Sequence, residues 1–293
     1  MSIRCPYYFP GIIAYIHSIS GKTELIEINN KIVLRNPCQI EIEKINDIIE
    51  SEKKQYIPAL ELDSCLLEIN EDLTGSVWDK DSLEYLFKTI TRVLCFFRLH
   101  YFSDIGIYCF WLPGSKMSNY GIEFRDTSEE FVPPFWPGYT VEYAIPKCID
   151  ELECYVSKFW DQKIEEDGAI RWFNKSFHER HLEDKLTDLI FGLEQIYLKG
   201  EGERSYLSYK LAMRCAFLIA GDRQERKNIF DNIRKGYNKR NSIIHSGKLL
   251  ENNEETINLI IDLKVYLAES IKKYLKDKSL FCTENLDSLI LSM

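Results

Sequence analysis

The sequence predicts an α+β protein in which a mixed domain of helices and strands, residues 1–165, precedes an all-α domain, residues 166–293. Short runs of β-branched and aromatic residues, separated by Gly and Asn, predict strands in the first domain. In the second domain, apolar residues recur with the period of a helix. The two patterns meet at the acidic segment 165–168, which we interpret as the link between the domains.

The first domain is expected to combine strands and helices. Turn residues delimit five strand-like runs: Gly11–Ser18, Thr23–Ile28, Ile32–Leu34, Ile105–Leu112 and Tyr120–Phe124. Apolar residues at helical spacing predict an amphipathic helix over Lys80–Leu99, and a further helix is expected over Pro146–Gln162. The prolines of residues 132–138 predict a rigid aromatic loop.

Residues 1–165 show no catalytic signature in their sequence. They contain no phosphate-binding glycine motif, no paired histidines at metal-ligand spacing and no nucleophile elbow, so we expect a sensing or regulatory role. His17 and His100 lie in apolar surroundings that are typical of core or edge positions. Phe135 and Trp136 could contact a ligand, although aromatic residues beside prolines more often close the edge of a core. With 16 Lys or Arg against 28 Asp or Glu, residues 1–170 could shield a basic surface elsewhere in the protein.

The second domain is expected to contain four helices. The first includes residues 182–197, with Ser176 as its N-cap, and a charged, Gly-rich turn follows it. The second ends at Gly221, and the third begins near Gln224 and is closed by Gly247. The residues of the third helix that are expected to face inward are Ile229, Phe230, Ile233, Tyr237 and Ile244. The last helix includes residues 257–271.

The end of the third helix carries residue types that suit RNA cleavage without a metal. His245 can transfer protons near neutral pH, and Arg240 stays charged and can bind a phosphate with two hydrogen bonds. Tyr237, Asn241 and His245 recur every four positions and so lie along one helix face. Arg240 and His245 are about 140° apart around the helix, so one copy would not bring them together. A site built from two copies of the helix would bring Arg240 of one copy close to His245 of the other.

Three separate stretches of this domain follow one family pattern. Residues 189–197 form an apolar run with an acid, residues 207–216 contain Ser-Tyr-Lys-Leu-Ala-x-Arg, and residues 237–247 read Tyr-x-x-Arg-polar-x-x-x-His-x-Gly. In this order and spacing they resemble a HEPN domain of the Apea-like type, which is found in prokaryotic defence proteins. The resemblance covers residues 172–275.

The resemblance implies a homodimeric four-helix bundle that cleaves RNA as an anti-phage effector or toxin, with no metal or other cofactor. One His245 would remove the proton from a ribose 2′-hydroxyl, which would attack the adjacent phosphorus. The other His245 would protonate the leaving 5′-oxygen. Arg240 would neutralise the phosphoryl oxygens, and Asn241 would orient the imidazole or donate to the same oxygens. A 2′,3′-cyclic phosphate would remain, and DNA would be spared.

Basic residues surround this motif, although the whole chain carries a net charge of −9. Residues 223–248 include eight Lys or Arg against two acids, which is a net charge of +6. Phosphate backbones bind such surfaces through counterion release. We expect RNA to contact Arg234, Lys235, Lys239 and Lys248, although a solvated helix face would show the same charges.

Three further residues are expected to support the motif. Tyr237 should pack at the helix interface, with its hydroxyl on a polar partner. Glu194 could pair with Arg214 and tie two helices of the bundle together. His245 itself has a structural alternative, because a cation at the end of a helix interacts favourably with the helix dipole.

Two other function classes stay open. The first is a non-catalytic HEPN module that binds RNA or a nucleotide, or serves as a scaffold in a defence system. The second is a toxin controlled by a nucleotidyltransferase that modifies a tyrosine just after the motif, and it is weakened because Gly247 stands at that position. The expected partners are RNA, a second copy of the chain, and an antitoxin or trigger protein.

The nine cysteines are scattered and lack a CxxC pair, which favours reduced thiols over a zinc site or a disulfide framework. The sequence shows no signal peptide and no 18-residue apolar stretch, so we expect no membrane contact and a cytoplasmic protein.

Overall fold

The computed structural model describes residues 12–20, 26–29, 32–51, 61–62, 64–69, 92, 94–95, 98–99, 106–112, 123–126, 168–179, 181–202 and 205–291. These residues belong to two compact units. The first lies within residues 1–97 and 103–162, and the second within residues 98–102 and 163–293. Together they confirm the α+β class. The domain boundary expected at residue 165 lies outside the described residues.

The first unit contains an antiparallel six-stranded sheet with the strand order β2-β3-β4-β1-β5-β6. The strands are β1 Ile12–Ser20, β2 Ile26–Asn29, β3 Ile32–Arg35, β4 Ser64–Ile69, β5 Gly106–Leu112 and β6 Glu123–Asp126. All except β4 overlap a strand that the sequence predicts. Helix α1, Gln39–Ser51, follows β3 and was not expected.

Ionic contacts join α1 to the sheet. Arg35, at the end of β3, donates hydrogen bonds of 2.7 Å to Glu41 of α1 and to Glu68 of β4. Beside them, Leu34, Leu66 and Leu67 are fully buried. The expected helix over residues 80–99 is described only at residues 92, 94, 95, 98 and 99, all of which are helical. The predicted aromatic loop at 132–138 and the helix over 146–162 lie outside the described residues, as does His100.

The second unit is helical. Its elements are α2 Gly168–His178, α3 Leu182–Tyr197, α4 Leu207–Ile219, α5 Arg223–Ser246, α6 Glu254–Lys276, a 3₁₀ turn at Lys278–Phe281 and α7 Thr283–Leu291. The four predicted helices are α3 to α6, and all four are confirmed. Helices α2 and α7 were not predicted.

The core of this unit lies among the apolar faces of α2 to α6. Residues with less than 1% of their surface exposed include Leu186, Leu189, Leu193, Leu211, Ile233, Ile260, Leu263 and Leu267. Gly236 allows α5 to pass close to its neighbours, because a Cβ there would lie 2.8 Å from Leu263 Cδ1 of α6 and 3.2 Å from Ile190 Cδ1 of α3. The crossing of these helices fixes where the second half of α5 lies.

Two local predictions for this unit are wrong. Ser176 does not cap α3. It is buried within α2, where its hydroxyl donates 2.7 Å to the Phe173 carbonyl, and His181 precedes α3 without a side-chain cap. Ile244, expected to face inward, is 48% exposed, because the apolar face of α5 extends past the residues it packs against. In the described part of the chain, no helix combines the length and apolar character needed to cross a membrane.

Candidate nucleic-acid site on helix α5

Helix α5 carries every residue of the predicted catalytic motif. It starts at the N-cap Asp222, whose side chain accepts from the Glu225 amide at 2.8 Å, and it ends at Gly247. Gly247 has a φ of 61°, a left-handed conformation that favours glycine at a helix C-cap. Arg240, Asn241 and His245 therefore occupy the last two turns of one continuous helix.

Arg240 is held in a fixed orientation against α3. Its guanidinium donates 3.1 Å to Glu194 Oε2 and 3.0 Å to Asn241 Oδ1. The guanidinium carbon lies 4.6 Å from the ring centre of Phe191 and 5.5 Å from that of Tyr237, within the range of cation–π attraction. The Arg240 side chain is 15% exposed. Its Nε is buried and has no hydrogen-bond partner among the residues that the structure describes.

Glu194 is an unusual partner for this arginine, because burial has the largest effect on the pKa of its carboxyl. Burial raises the pKa of the Glu194 carboxyl, and this effect outweighs the opposing influence of the Arg240 charge and the Tyr237 hydroxyl. Tyr237 is buried at 7% exposure, and its hydroxyl interacts with Glu194. The prediction for Tyr237, packing at the interface with its hydroxyl on a polar partner, is confirmed.

The predicted pairing of Glu194 with Arg214 is wrong, because each residue has other partners. Arg214 is 2% exposed and pairs with Glu201 at 2.7 Å and with Asp287 at 2.9 Å, and it donates to the Tyr197 carbonyl. The sequence could not choose between these acids because they lie far apart along the chain. Arg214 thus joins α4 to α7 and to the turn after α3.

His245 stands apart from Arg240. It is exposed, and its side chain makes no hydrogen bond or ion pair within the described part of the chain. Asn241, expected to orient the imidazole, contacts Arg240 instead. On α5, Arg240 lies about 160° around the helix from Asn238, whereas His245 lies about 20° from it. A single chain therefore presents its arginine and its histidine on different sides of the helix.

The predicted RNA-binding cations lie together in a groove of about 620 Å³ beside α5. Its lining includes Arg234, Lys235, Lys239 and Lys248. The groove lies between the exposed face of α5 and the segment that leads into α6. It is on the side of α5 that carries Asn238 and Ser242, and Arg240 does not line it. We call this surface the basic groove.

Acidic residues on the same lining offset much of this positive charge. Asp231, Glu251 and Glu255 line the groove together with the four cations, and Lys235 forms an ion pair with Glu255. The net charge of +6 for residues 223–248 omits Glu251 and Glu255, because both lie beyond that segment. The basic groove is therefore less positive than the sequence of α5 alone indicates.

Two features of the site were not expected from the sequence. Phe191 supports the Arg240 guanidinium, and a helical spacing of three residues from Glu194 could have indicated that both lie on one face of α3. The acidic residues that line the groove could not be predicted from the motif. Among the described residues, no group of three or more His, Cys, Asp or Glu side chains is placed to hold a metal ion, and Cys38, Cys95, Cys215 and Cys282 are free thiols.

No protein-family model matches this chain, and no curated protein or solved structure gives a significant match to it. The resemblance to HEPN domains therefore rests on the three sequence stretches that carry it.

Proposed function

We propose that the protein is a metal-independent HEPN endoribonuclease that acts as an anti-phage or toxin effector. The observation that carries this proposal is the state of Arg240. Its guanidinium is oriented by Glu194, Asn241 and Phe191, and the side chain remains 15% exposed. An oriented guanidinium that solvent can still reach is suited to bind a phosphate.

The catalytic unit in this proposal is a dimer of the chain. Arg240 and His245 lie on different sides of α5, so the guanidinium of one copy would act with the imidazole of its partner. Ile244 is 48% exposed at the end of the apolar face of α5, beside the motif. Burial of this side chain against a second copy would favour association through the same surface that brings the motifs together.

The reaction needs only groups that these residues supply. A neutral His245 accepts the proton of the 2′-hydroxyl, and the oxygen forms a bond to phosphorus as the bond to the 5′-oxygen breaks. A protonated His245 from the partner copy gives its proton to that leaving oxygen. The two Arg240 side chains hold the phosphoryl oxygens as negative charge accumulates on them. The products are a 2′,3′-cyclic phosphate and a free 5′-hydroxyl.

The deciding experiment is cleavage of end-labelled RNA in EDTA by the wild-type protein, His245→Ala and Arg240→Ala, with DNA of the same sequence as a control. The proposal requires that only the wild type cuts, that the RNA ends carry cyclic phosphate and that DNA survives. Cutting by His245→Ala at the wild-type rate would rule out the assigned chemistry. A monomer by light scattering at the concentration of the assay would rule out the composite site.

A non-catalytic RNA-binding module is the second candidate, and one observation favours it. The basic groove and Arg240 lie on opposite sides of α5, so RNA could bind in the groove without its phosphates reaching the guanidinium. Tight RNA binding by the wild type without cleavage, and equal binding by Arg240→Ala, would favour this function. A toxin that is controlled by modification of a tyrosine after the motif has no such support.

A further inference from the structure

The two walls of the basic groove carry net charges of opposite sign. One wall is the exposed face of α5, which supplies Arg234, Lys235, Lys239 and the acid Asp231. The other wall is formed by the segment after α5 and the first turn of α6, and it supplies Glu251, Glu255 and the cation Lys248. A carboxylate and a phosphate carry the same sign of charge and accept hydrogen bonds from the same donors. Glu255 therefore occupies a position that a phosphate group would take.

A ligand can displace Glu255 from its ion pair with Lys235. Glu255 pairs with Lys235, and its side chain is 69% exposed while that of Lys235 is 38% exposed. Exposed ion pairs are weak and are screened by salt. The hydrogen bond from Lys235 and the charge of that lysine, with a smaller influence from Lys239, hold the pKa of Glu255 below its ordinary value, so this carboxylate stays charged at neutral pH.

Side chains on this side of α5 also form a line that leads towards His245. Arg234, Asn238, Ser242 and His245 follow one another at helical spacing along the same side of α5. They span about 16 Å along the helix axis. RNA that lies along this line would approach the exposed His245 at one end.

We propose that the basic groove binds the RNA segment next to the cleavage site, and that Glu255 restrains this binding by occupying Lys235 until a phosphate displaces it. This inference rests on the proposed function, because it takes RNA as the ligand. It adds the path of the strand and an internal competitor for one of its phosphate contacts. RNA affinity is thus set by the acids of the α6 wall as well as by the cations of α5.

The test compares Glu255→Gln with Glu254→Gln. Both acids are exposed in the first turn of α6, so each substitution removes the same charge from the same helix end, but only Glu255 lines the groove and pairs with Lys235. Binding is measured with a 2′-O-methyl RNA oligonucleotide, which has no free 2′-hydroxyl and so cannot be cut. Binding is also measured with a duplex of the same sequence and over a range of salt concentrations.

Glu255→Gln is expected to lower the Kd for the single strand by about two- to fivefold, the range set by a weak exposed ion pair, while Glu254→Gln leaves it nearly unchanged. The gain should disappear when Lys235→Ala is added to Glu255→Gln, and the salt dependence of log K should then weaken by about 0.7. Equal affinities for the two glutamine variants would overturn the inference, and so would a gain that survives Lys235→Ala.

The result separates this inference from the nuclease proposal. Cleavage of unmodified RNA by the wild type, combined with no effect of Glu255→Gln on binding, would reject the groove and leave the nuclease intact. The expected gain in binding without cleavage by the wild type would support the groove and reject the nuclease. No binding of the oligonucleotide at low salt would reject the groove outright.

Discussion

Arg214 and Arg240 lie in the same helical unit and both pair with glutamate, but their surroundings differ. Arg214 is 2% exposed, pairs with two carboxylates and donates to a backbone carbonyl. Arg240 is 15% exposed, pairs with one carboxylate and retains an Nε with no partner in the described part of the chain. The first arginine has its donors engaged by the protein itself. The second is engaged by fewer groups of the protein and stays partly accessible to solvent.

The glutamates show the same contrast. Hydrogen bonds from Lys210 and Arg214 hold the pKa of Glu201 below its ordinary value. Burial raises the pKa of Glu194 above its ordinary value. A carboxyl that its partners stabilise as an anion belongs to a structural ion pair, whereas one that is costly to ionise is a common feature of functional sites. Four predictions follow from this contrast, in order of expected effect.

Arg214→Ala should cause the largest change, a loss of about 3 kcal/mol in the free energy of unfolding, because it removes a buried guanidinium from Glu201, which is 10% exposed, and from the Tyr197 carbonyl. Urea denaturation monitored by circular dichroism would measure it. Arg223→Ala, at an exposed position at the start of α5, is the matched control and should change the free energy of unfolding by less than about 0.5 kcal/mol. If the two variants were equally stable, Arg214 would have no structural role.

Arg240→Ala should reverse this pattern, with a smaller loss of stability than Arg214→Ala and a loss of RNA cleavage of about 100-fold or more, because charge on the phosphoryl oxygens would go uncompensated. Arg240→Lys should recover only part of the activity, since an ammonium group keeps the charge without the planar pair of donors. The measurements are kcat/KM on a labelled RNA and urea unfolding of the same samples. Full activity of Arg240→Ala would show that the contrast between the arginines has no functional meaning.

Glu194→Gln should lower kcat by about tenfold, because the Arg240 guanidinium would lose the carboxylate that orients it. The affinity for RNA should hold or increase, since the substitution removes a negative charge that competes with phosphate. If Glu194 had a purely structural role, Glu194→Gln would change the stability of the protein, but it would not lower kcat while leaving the affinity for RNA unchanged. Single-turnover kinetics and binding of uncleavable RNA would distinguish the two.

The smallest expected effect is a difference of sign in how stability depends on pH. The raised pKa of Glu194 means that its carboxyl contributes stability at low pH and that this is lost as pH rises through the raised value. The lowered pKa of Glu201 means that its contribution is present above the ordinary glutamate pKa and is lost as pH falls through the lowered value. We therefore expect the free energy of unfolding of each variant, measured between about pH 3 and pH 7, to depart from wild type with opposite pH dependence. The loss in Glu194→Gln should be largest at low pH, and the loss in Glu201→Gln should be largest at high pH. The same sign for both variants would contradict the assignment.

The sequence predicted the helices of the second unit well because their apolar periods are long and regular. It also predicted the residues at their ends where a local rule applies, as for Gly247, whose left-handed backbone favours glycine. It failed at Ser176, because a serine before an apolar run fits an N-cap and equally fits the buried interior of α2. Helix α2 itself was missed, as were α1, α7 and β4.

The sequence predicts which residues form the candidate site, and that prediction stays a proposal, but it does not predict their contacts. That Arg240, Asn241 and His245 share one helix follows from the sequence, and so does the angle of about 140° between Arg240 and His245. The partner of Glu194 does not follow from it. Arg214 and Arg240 are both cations on neighbouring helices, and only the packing of α3 against α5 brings Arg240 within 3.1 Å of the carboxylate.

By itself the sequence determined the fold class, the four helices and the side-by-side placement of cations along α5, because these depend on interactions between residues close in the chain. The tertiary structure decided that Glu194 pairs with Arg240, that Arg214 pairs with Glu201, and that Glu255 pairs with Lys235 in the basic groove. Each of these contacts joins residues at least 13 positions apart. Helix periodicity sets the direction in which a side chain points, but only the packing of one helix against another sets what it meets.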